Sequence, residues 1–254
     1  MSEGDASGDG ILDLLSTGEM ETVGLLPWSS NYTFLVKITN LLPDHQDDLS
    51  GVELLGVYKP RRGEAPLWDF PEGTLCQREL ASYLVNVALG WDLVPPTVLR
   101  TGPHGFGSVQ LFVDCDADQH FFTFRDDQRY CDQLQRLVAF DLITNNADRK
   151  SGHCLLDKQG HIWAIDHGIT FNSDYKLRTV IWDFAGQPIP EEMLRDMRRM
   201  LNEIGPKQPL GRRLHKLLDE SEMAAFRRRT QRLLDLGIYP GPNRSQRSIP
   251  WPPV

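Results

Sequence analysis

Two carboxylates in this chain stand where a carboxylate usually has a task. The first is Asp148, in FDLITNNADRKSGH (residues 140–153), beside Arg149 and shortly after an apolar run. The second is Asp166, which ends the apolar run HIWAI and is followed by His167 and Gly168. A carboxylate on a loop after a helix can accept a hydroxyl proton as a general base. One at a strand end, before a glycine that permits a sharp turn, can hold a divalent cation at the mouth of a sheet. Each also has an architectural reading. Asn145, Asn146 and Asp148 all favour Asx-type turns, and Arg149 could steady phosphate charge or simply pair with an acid. The residue types leave phosphoryl transfer, metal binding and loop architecture open.

A second pair lies earlier. In VELLGVYKP, Lys59 shares a strand face with Leu55 and Val57, so its stem points toward an apolar region. Glu79 lies one residue before Leu80 and four before Tyr83, on the flank of an apolar helix stripe. The lysine could snorkel to solvent. The glutamate calls for a partner, because an unpaired buried charge costs several kcal/mol. A strand lysine held by a helix glutamate is the arrangement that orients a lysine onto nucleotide phosphates, although many folds contain such a pair.

The elements that must carry these residues follow from periodicity. ETVGLL, YTFLVKI, VELLGVYKP, PTVLR and GSVQLFV read as five strands, after a short helix ILDLLSTG stopped by Gly18. Between the third and fourth strands, Thr74–Gly90 reads as a helix with a Thr74/Gln77 capping box, a Gly90 stop, and a stripe of Leu80, Tyr83, Leu84, Val87 and Ala88. A second helix at about 128–144 has Leu134, Leu137, Val138 and Leu142 on its apolar face, with Asp141 on that same face. A hairpin, HCLLD-KQG-HIWAID, follows, then an irregular segment to Pro190 and helices at about 191–204, 209–218 and 221–236. The expected division is a disordered tail (1–10), a first lobe (11–113), a second lobe (114–238) and a Pro-rich tail (239–254), extended or disordered.

Taken in order, a strand lysine, a helix glutamate, a five-strand lobe, a helix, Asp148, a hairpin and Asp-x-Gly make the running order of the protein-kinase-like fold. The segments SSNYTF, VYKP, RELASY, QLFV, DLITNNADR and IDHG resemble the phosphatidylinositol 3-/4-kinase superfamily, nearest its type II 4-kinases and an uncharacterised actinobacterial kinase-like family. The resemblance covers roughly residues 25–190. It implies an α+β, two-lobed protein-kinase-like fold with a five-stranded N-lobe and a mainly helical C-lobe. It also implies ATP with Mg²⁺ or Mn²⁺, and transfer of the γ-phosphate to a hydroxyl. Ser29, Ser30 and Asn31 would form a phosphate loop without glycines, Lys59 would contact the α/β-phosphates under the hold of Glu79, and the adenine would lie against Gln110, Leu111, Phe112 and Val113. Asp148 would be the catalytic carboxylate, Asp166 would bind the metal, and Asp141 would receive backbone donors and hold the loop. The family's second metal ligand is an asparagine five residues after the catalytic aspartate; here that position is His153. An imidazole suits Mn²⁺ better than Mg²⁺, so either the metal preference has shifted or the second metal is lost. A transition-metal site of His153, His161, Asp166 and His167 is disfavoured, because about five residues of strand at roughly 3.3 Å each separate the last two histidines.

Charge narrows the partners. Residues 1–190 carry 14 Lys/Arg against 27 Asp/Glu, and residues 191–254 carry 13 against 8. An acidic front argues against general nucleic-acid binding, and the basic RDMRR and RRRTQR read as solvated helix faces. No apolar run approaches the roughly 20 residues of a membrane span. The four cysteines show no CxxC pairing, which together with an acidic N-terminus points to a soluble, cytoplasmic protein with reduced thiols. Segment 169–190 would line the acceptor site, and its only basic residues are Lys176 and Arg178. That favours a protein Ser/Thr, including autophosphorylation, or a small hydroxyl compound over an inositol lipid. The other readings are a non-catalytic ATP-binding interaction module and an AMP transferase.

Overall fold

A computed structural model describes residues 5–26, 31–40, 53–243 and 245–254. The chain divides into two compact units, Met1–Leu80 with Pro95–Phe112, and Ala81–Val94 with Val113–Val254.

The first unit is an antiparallel sheet of five strands, β1 (Glu19–Leu25), β2 (Phe34–Thr39), β3 (Glu53–Pro60), β4 (Thr97–Gly102) and β5 (Gly105–Leu111), in the order β1-β2-β3-β5-β4. Alternation sets its faces. Val36 and Ile38 of β2, Tyr58 of β3, Val98 of β4 and Val109 of β5 point to one side and close a core with Leu15 of α1 (Asp5–Thr17). That helix begins six residues before the expected start, inside the segment expected to be a disordered tail. Leu55, Val57 and Lys59 lie on the opposite, more open face of β3. β5 approaches β3 so closely that a Cβ on Gly107 would stand 2.3 Å from the Lys59 carbonyl oxygen.

Helix α2 (Leu75–Leu89) occupies the expected place, but its first turn is capped differently. The Glu64 carboxylate takes the Leu75 and Cys76 amides at 3.1 and 2.8 Å, while the Thr74 hydroxyl donates to the Pro71 carbonyl instead. Its buried residues include Arg78, Glu79, Ser82, Val85 and Leu89, and Val87 is exposed. The stripe expected from Leu80, Tyr83, Leu84, Val87 and Ala88 is thus rotated, because polar residues the hydrophobic pattern could not count are also buried. Gly90 ends the helix at φ 70°, a left-handed conformation that favours glycine.

The second unit is mainly helical: α3 (Phe121–Phe124), α4 (Cys131–Thr144), α5 (Glu191–Glu203), α6 (Pro209–Leu214) and α7 (Glu220–Leu236), with a hairpin of β6 (Cys154–Leu156) and β7 (Ile162–Ala164). α4 packs against α7, burying Leu134, Leu137, Phe140, Ile143 and Phe226. Most arginines of the basic helices are solvated, but Arg229 turns inward. It donates to the carbonyls of Ile143 and Asn172, both at 3.0 Å, and burial pulls its pKa down to about 10. The Pro-rich tail lies against its own unit: the Ser151 amide donates to Pro253, and the Thr179 amide and Trp182 indole donate to Ser248.

Candidate functional site

α4 ends on Asn145, a left-handed C-cap at φ 57°, which asparagine tolerates better than most residues. From there nearly every polar side chain of TNNADR serves the fold. Thr144 bonds the Phe140 carbonyl; Asn145 donates to the carbonyls of Asn172 and Asp174 and accepts from the Lys176 amide. Asn146 donates to Asp141 at 3.0 Å and accepts the Asp148 amide at 2.9 Å, an Asx turn. Asp148 is the exception. Its carboxylate is held only loosely, 3.5 Å from Lys150 Nζ.

Arg149 and Asp141 form the buried frame of this loop, with side chains 0% and 1% exposed. Arg149 Nε lies 2.9 and 3.2 Å from the two Asp141 oxygens, and Nη2 is 3.0 Å from Asp141 Oδ1 and 2.8 Å from His167 Nε2. Nη1 donates to the carbonyls of His153 (3.1 Å) and Ile165 (2.8 Å). All three guanidinium nitrogens are committed, so Arg149 has no face left for a phosphate. Of its two sequence readings the structure carries the ion pair, which corrects the expectation of a catalytic group. The Asp141 carboxylate accepts from the side chains of Arg149 and Asn146, where backbone donors were expected. Because Arg149 grips both neighbours of Asp166, one cation ties the Asp148 loop to the Asp166 turn.

Asp166 itself sits at φ 59°, the left-handed region that aspartate, like asparagine, enters more readily than most non-glycine residues. Its carboxylate is 42% exposed and lies 3.2 Å from His153 Nε2. On the other ring edge, His153 Nδ1 accepts the Lys150 amide at 3.4 Å. That bond assigns the imidazole proton to Nε2, so His153 faces Asp166 as a donor. A hard cation takes mostly oxygen ligands and leaves places for water and phosphate; the exposed Asp166 carboxylate fits that demand. His153 in this tautomer orients the carboxylate. His161 is elsewhere, bonded to the Asp92 carbonyl and packed on Trp163, and His167 is buried against Arg149 and Phe140. Among the described residues no group of three or more His, Cys, Asp or Glu could hold a metal ion, so the four-residue transition-metal site does not form.

Burial pushes the Asp148 carboxyl above its ordinary pKa of 3.8; Asp166 adds to the rise, while Lys150 and Arg178 pull against it. A base that must exchange a proton gains from such a rise. Lys150 was missed in the sequence; its signal was the spacing, since residues two apart share a face in extended backbone. The thiols are no part of this chemistry: all four cysteines are free, and burial pushes Cys154 up to about 12.

In the first unit, Lys59 Nζ and Glu79 Oε1 are 2.6 Å apart, with side chains 17% and 5% exposed. Gln110 and Leu111 close β5, where the Gln110 side chain donates to Thr97, and the Leu111 and Phe112 amides are taken by the carbonyls of Pro96 and Leu55. Val113 begins the next stretch of the second unit. Asn31 Oδ1 accepts the Ala65 amide at 2.7 Å, fastening the loop after β3. Ser29 and Ser30 lie outside the described residues.

A family model described as phosphatidylinositol 3- and 4-kinase matches residues 100–236, more than half of the chain and the part that holds Asp141, Asp148 and Asp166. The chain belongs to the phosphatidylinositol 3- and 4-kinase family. Protein Rv2133c of Mycobacterium tuberculosis is 37% identical over 276 residues, covering 94% of both chains. Two solved structures share the fold. The Golgi casein kinase with Mn/ADP bound has a TM-score of 0.52 at 16% identity, over 92% of this chain and 76% of that one. Hydra Fam20 with sugar has a TM-score of 0.52 at 13% identity, over 92% and 89%. The fold is therefore α+β and protein-kinase-like, as the family resemblance implied. Lys59 and Glu79 fall before the matched span, so the pair rests on its own geometry.

Proposed function

We propose that this family member is an ATP- and divalent-metal-dependent phosphotransferase that moves the γ-phosphate to a hydroxyl acceptor. One observation carries the reading: the Asp141–Arg149 frame ties the Asp148 loop to the Asp166 turn and brings the two carboxylates close enough for Asp166 to raise the pKa of Asp148. Asp148 accepts the acceptor's proton or orients its hydroxyl, which is worth roughly 10²–10⁴ in rate. Lys150, beside Asp148, faces the charge that grows on the transferred group. Asp166 holds Mg²⁺ or Mn²⁺, with His153 fixing its orientation; the bound ion would shield phosphate charge. Lys59, held by Glu79, neutralises the α/β-phosphates. Gln110–Val113 contact the adenine through carbonyls and the Phe112 ring, since two of their amides are engaged.

The acceptor is a protein Ser/Thr, including this chain's own, or a small hydroxyl compound. Lys176 and Arg178 as the only basic residues of 169–190 support these over an inositol lipid head group. Among the described residues no helix is long and apolar enough to cross a membrane. The departure at His153 supports a second reading, a nucleotide-binding module without transfer. Thermal-shift titration with ATP, in Mg²⁺, in Mn²⁺ and in neither, separates the first step. A ligand at a hundred times its Kd stabilises by about 2.7 kcal/mol. Metal-dependent stabilisation lost in Asp166→Asn supports the site; no shift with either metal removes ATP from the account.

A further inference from the structure

The stretch between β3 and α2 is fastened into a wall. It opens with a 3₁₀ turn at Arg61–Gly63, whose last carbonyl accepts the Tyr32 amide at 3.1 Å, and the Ala65 amide donates to Asn31. Further on, the Thr74 hydroxyl donates to the Pro71 carbonyl, and the Arg78 guanidinium lies over the buried Phe70 ring, 4.9 Å from its centre. Together with Gly105 and Phe106 at the start of β5, this stretch lines a cavity of about 500 Å³, a volume in the range of small-molecule sites. Among the described residues its lining does not include Lys59, Glu79 or Gln110–Val113.

Two cations line this cavity, Arg61 and Arg62. Each lies against a glycine of the same wall: a Cβ on Gly73 would stand 2.3 Å from Arg61 Nε, and one on Gly105 would stand 2.8 Å from Arg62 Nη2. Both guanidinium groups are therefore seated in notches that any other residue's side chain would fill. Their closest titratable neighbours do not neutralise them. Arg61 acts on the Cys76 thiol and Arg62 on the Tyr58 phenol, and burial raises the pKa of both groups, so each stays protonated at neutral pH. Two carboxylates also line the cavity. Glu64 is committed to the Leu75 and Cys76 amides at the start of α2, which leaves Glu72 as the exposed acid at the rim. Much of the remaining lining is apolar, and it includes Phe70 with Leu67 and Phe106, the last two 38% and 42% exposed.

We propose that this cavity binds a phosphate monoester with an apolar, ring-bearing body, the phosphate on Arg61 and Arg62 and the ring against Leu67 and Phe106. A phosphate monoester carries nearly two negative charges near pH 7, and its oxygens accept parallel hydrogen bonds from planar guanidinium groups. The fastened walls lower the cost of ordering the site around a ligand. This site is separate from the residues assigned to ATP and stands whether or not the chain transfers phosphate.

The test uses the full chain, with phenyl phosphate and inorganic phosphate as probes, titrated by calorimetry with and without a saturating non-hydrolysable ATP analogue. Wild type is compared with Arg61→Gln, Arg62→Gln, Phe106→Ala and Lys37→Gln, the last removing an exposed cation elsewhere on the same sheet. Melting temperatures are recorded first. All four positions are partly or largely exposed, so the variants are expected to melt with the wild type. Wild type is expected to bind phenyl phosphate saturably, more tightly than inorganic phosphate and equally well with the analogue present. Each arginine variant should weaken binding about tenfold, while Arg61→Lys and Arg62→Lys, which keep the charge and lose the planar fork, fall between. Phe106→Ala should bring phenyl phosphate down toward inorganic phosphate, and Lys37→Gln should change nothing. No saturable binding by wild type, equal affinity for the two probes, an equal loss in Lys37→Gln, or displacement of phenyl phosphate by the analogue overturns the proposal.

Discussion

Replacing Asp141 with asparagine keeps the shape of the side chain and removes one charge from a fully buried pair. Three short contacts from Arg149 and one from Asn146 converge on that carboxylate. Without it, Arg149 remains a buried cation facing two carbonyls and an imidazole. Breaking one side of a buried ion pair costs about 3–5 kcal/mol, and at this chain length each kcal/mol moves the melting temperature by about 2–4 °C. Asp141→Asn is therefore expected to melt about 6–20 °C lower. Arg149→Met should cost a similar amount, because Asp141 is then the orphan. The double variant removes both charges and is expected to lie at least about 2 kcal/mol above the sum of the singles. Urea denaturation followed by tryptophan fluorescence measures all four corners of the cycle. An Asp141→Asn cost under about 1 kcal/mol, or additive singles, would refute the view that this pair frames the loop.

Asp148→Asn is expected to keep or raise stability at pH 7. Burial raises the folded carboxyl above its ordinary 3.8, so the native state binds more protons between those two values. The cost of ionising Asp148 thus grows with rising pH across that window, persists above it, and vanishes below 3.8. Melting curves of both proteins from pH 3 to 8 check the sign; a variant less stable than wild type at pH 7 contradicts it. Gly107→Ala puts a methyl group against the Lys59 carbonyl, so a loss of about 1–3 kcal/mol is expected in denaturation, together with a smaller ATP-induced thermal shift. Ending the chain at Asn243 removes the acceptors of the Ser151 and Thr179 amides; hydrogen exchange at those two amides should accelerate by about tenfold or more, and unchanged protection would mean the tail does not brace the segment.

Much of the architecture could be read in the sequence because it follows from alternation and turn chemistry. All five strands, α4 and the β6–β7 hairpin fall where hydrophobic period and glycine placement put them. The rotated face of α2 was hidden because Arg78, Glu79, Ser82 and Asn86 are buried polar residues, and a hydrophobic stripe cannot register them. Its cap was hidden for a related reason: Glu64 reaches the first turn from eleven residues away, whereas Thr74 and Gln77 only satisfied the local pattern. At the site, residue types announced that Asp148 and Asp166 were unusual, and the Lys59–Glu79 partnership followed from the cost of a lone buried charge. What could not be read was which member of each polar cluster would be consumed. Arg149 beside Asp148 is equally suited to phosphate or carboxylate, and only the three-dimensional position of Asp141 decides it. Arg178 stood out in the sequence only as one of the two basic residues of 169–190, and the bridge between Arg149 and Thr179 places it beside Asp148.

The central claim is transfer of the γ-phosphate by Asp148. It is tested most directly by incubating wild type and Asp148→Asn with ATP labelled on the γ-phosphate, and in parallel on the α-phosphate, in Mg²⁺ and in Mn²⁺. The account predicts that γ-label leaves ATP for the protein or for an added hydroxyl compound, that the rate falls by roughly 10²–10⁴ in Asp148→Asn, and that α-label stays with the nucleotide. Bound ATP with no loss of γ-label would make the chain a nucleotide-binding module, and transfer of α-label would make it an AMP transferase; either contradicts the account.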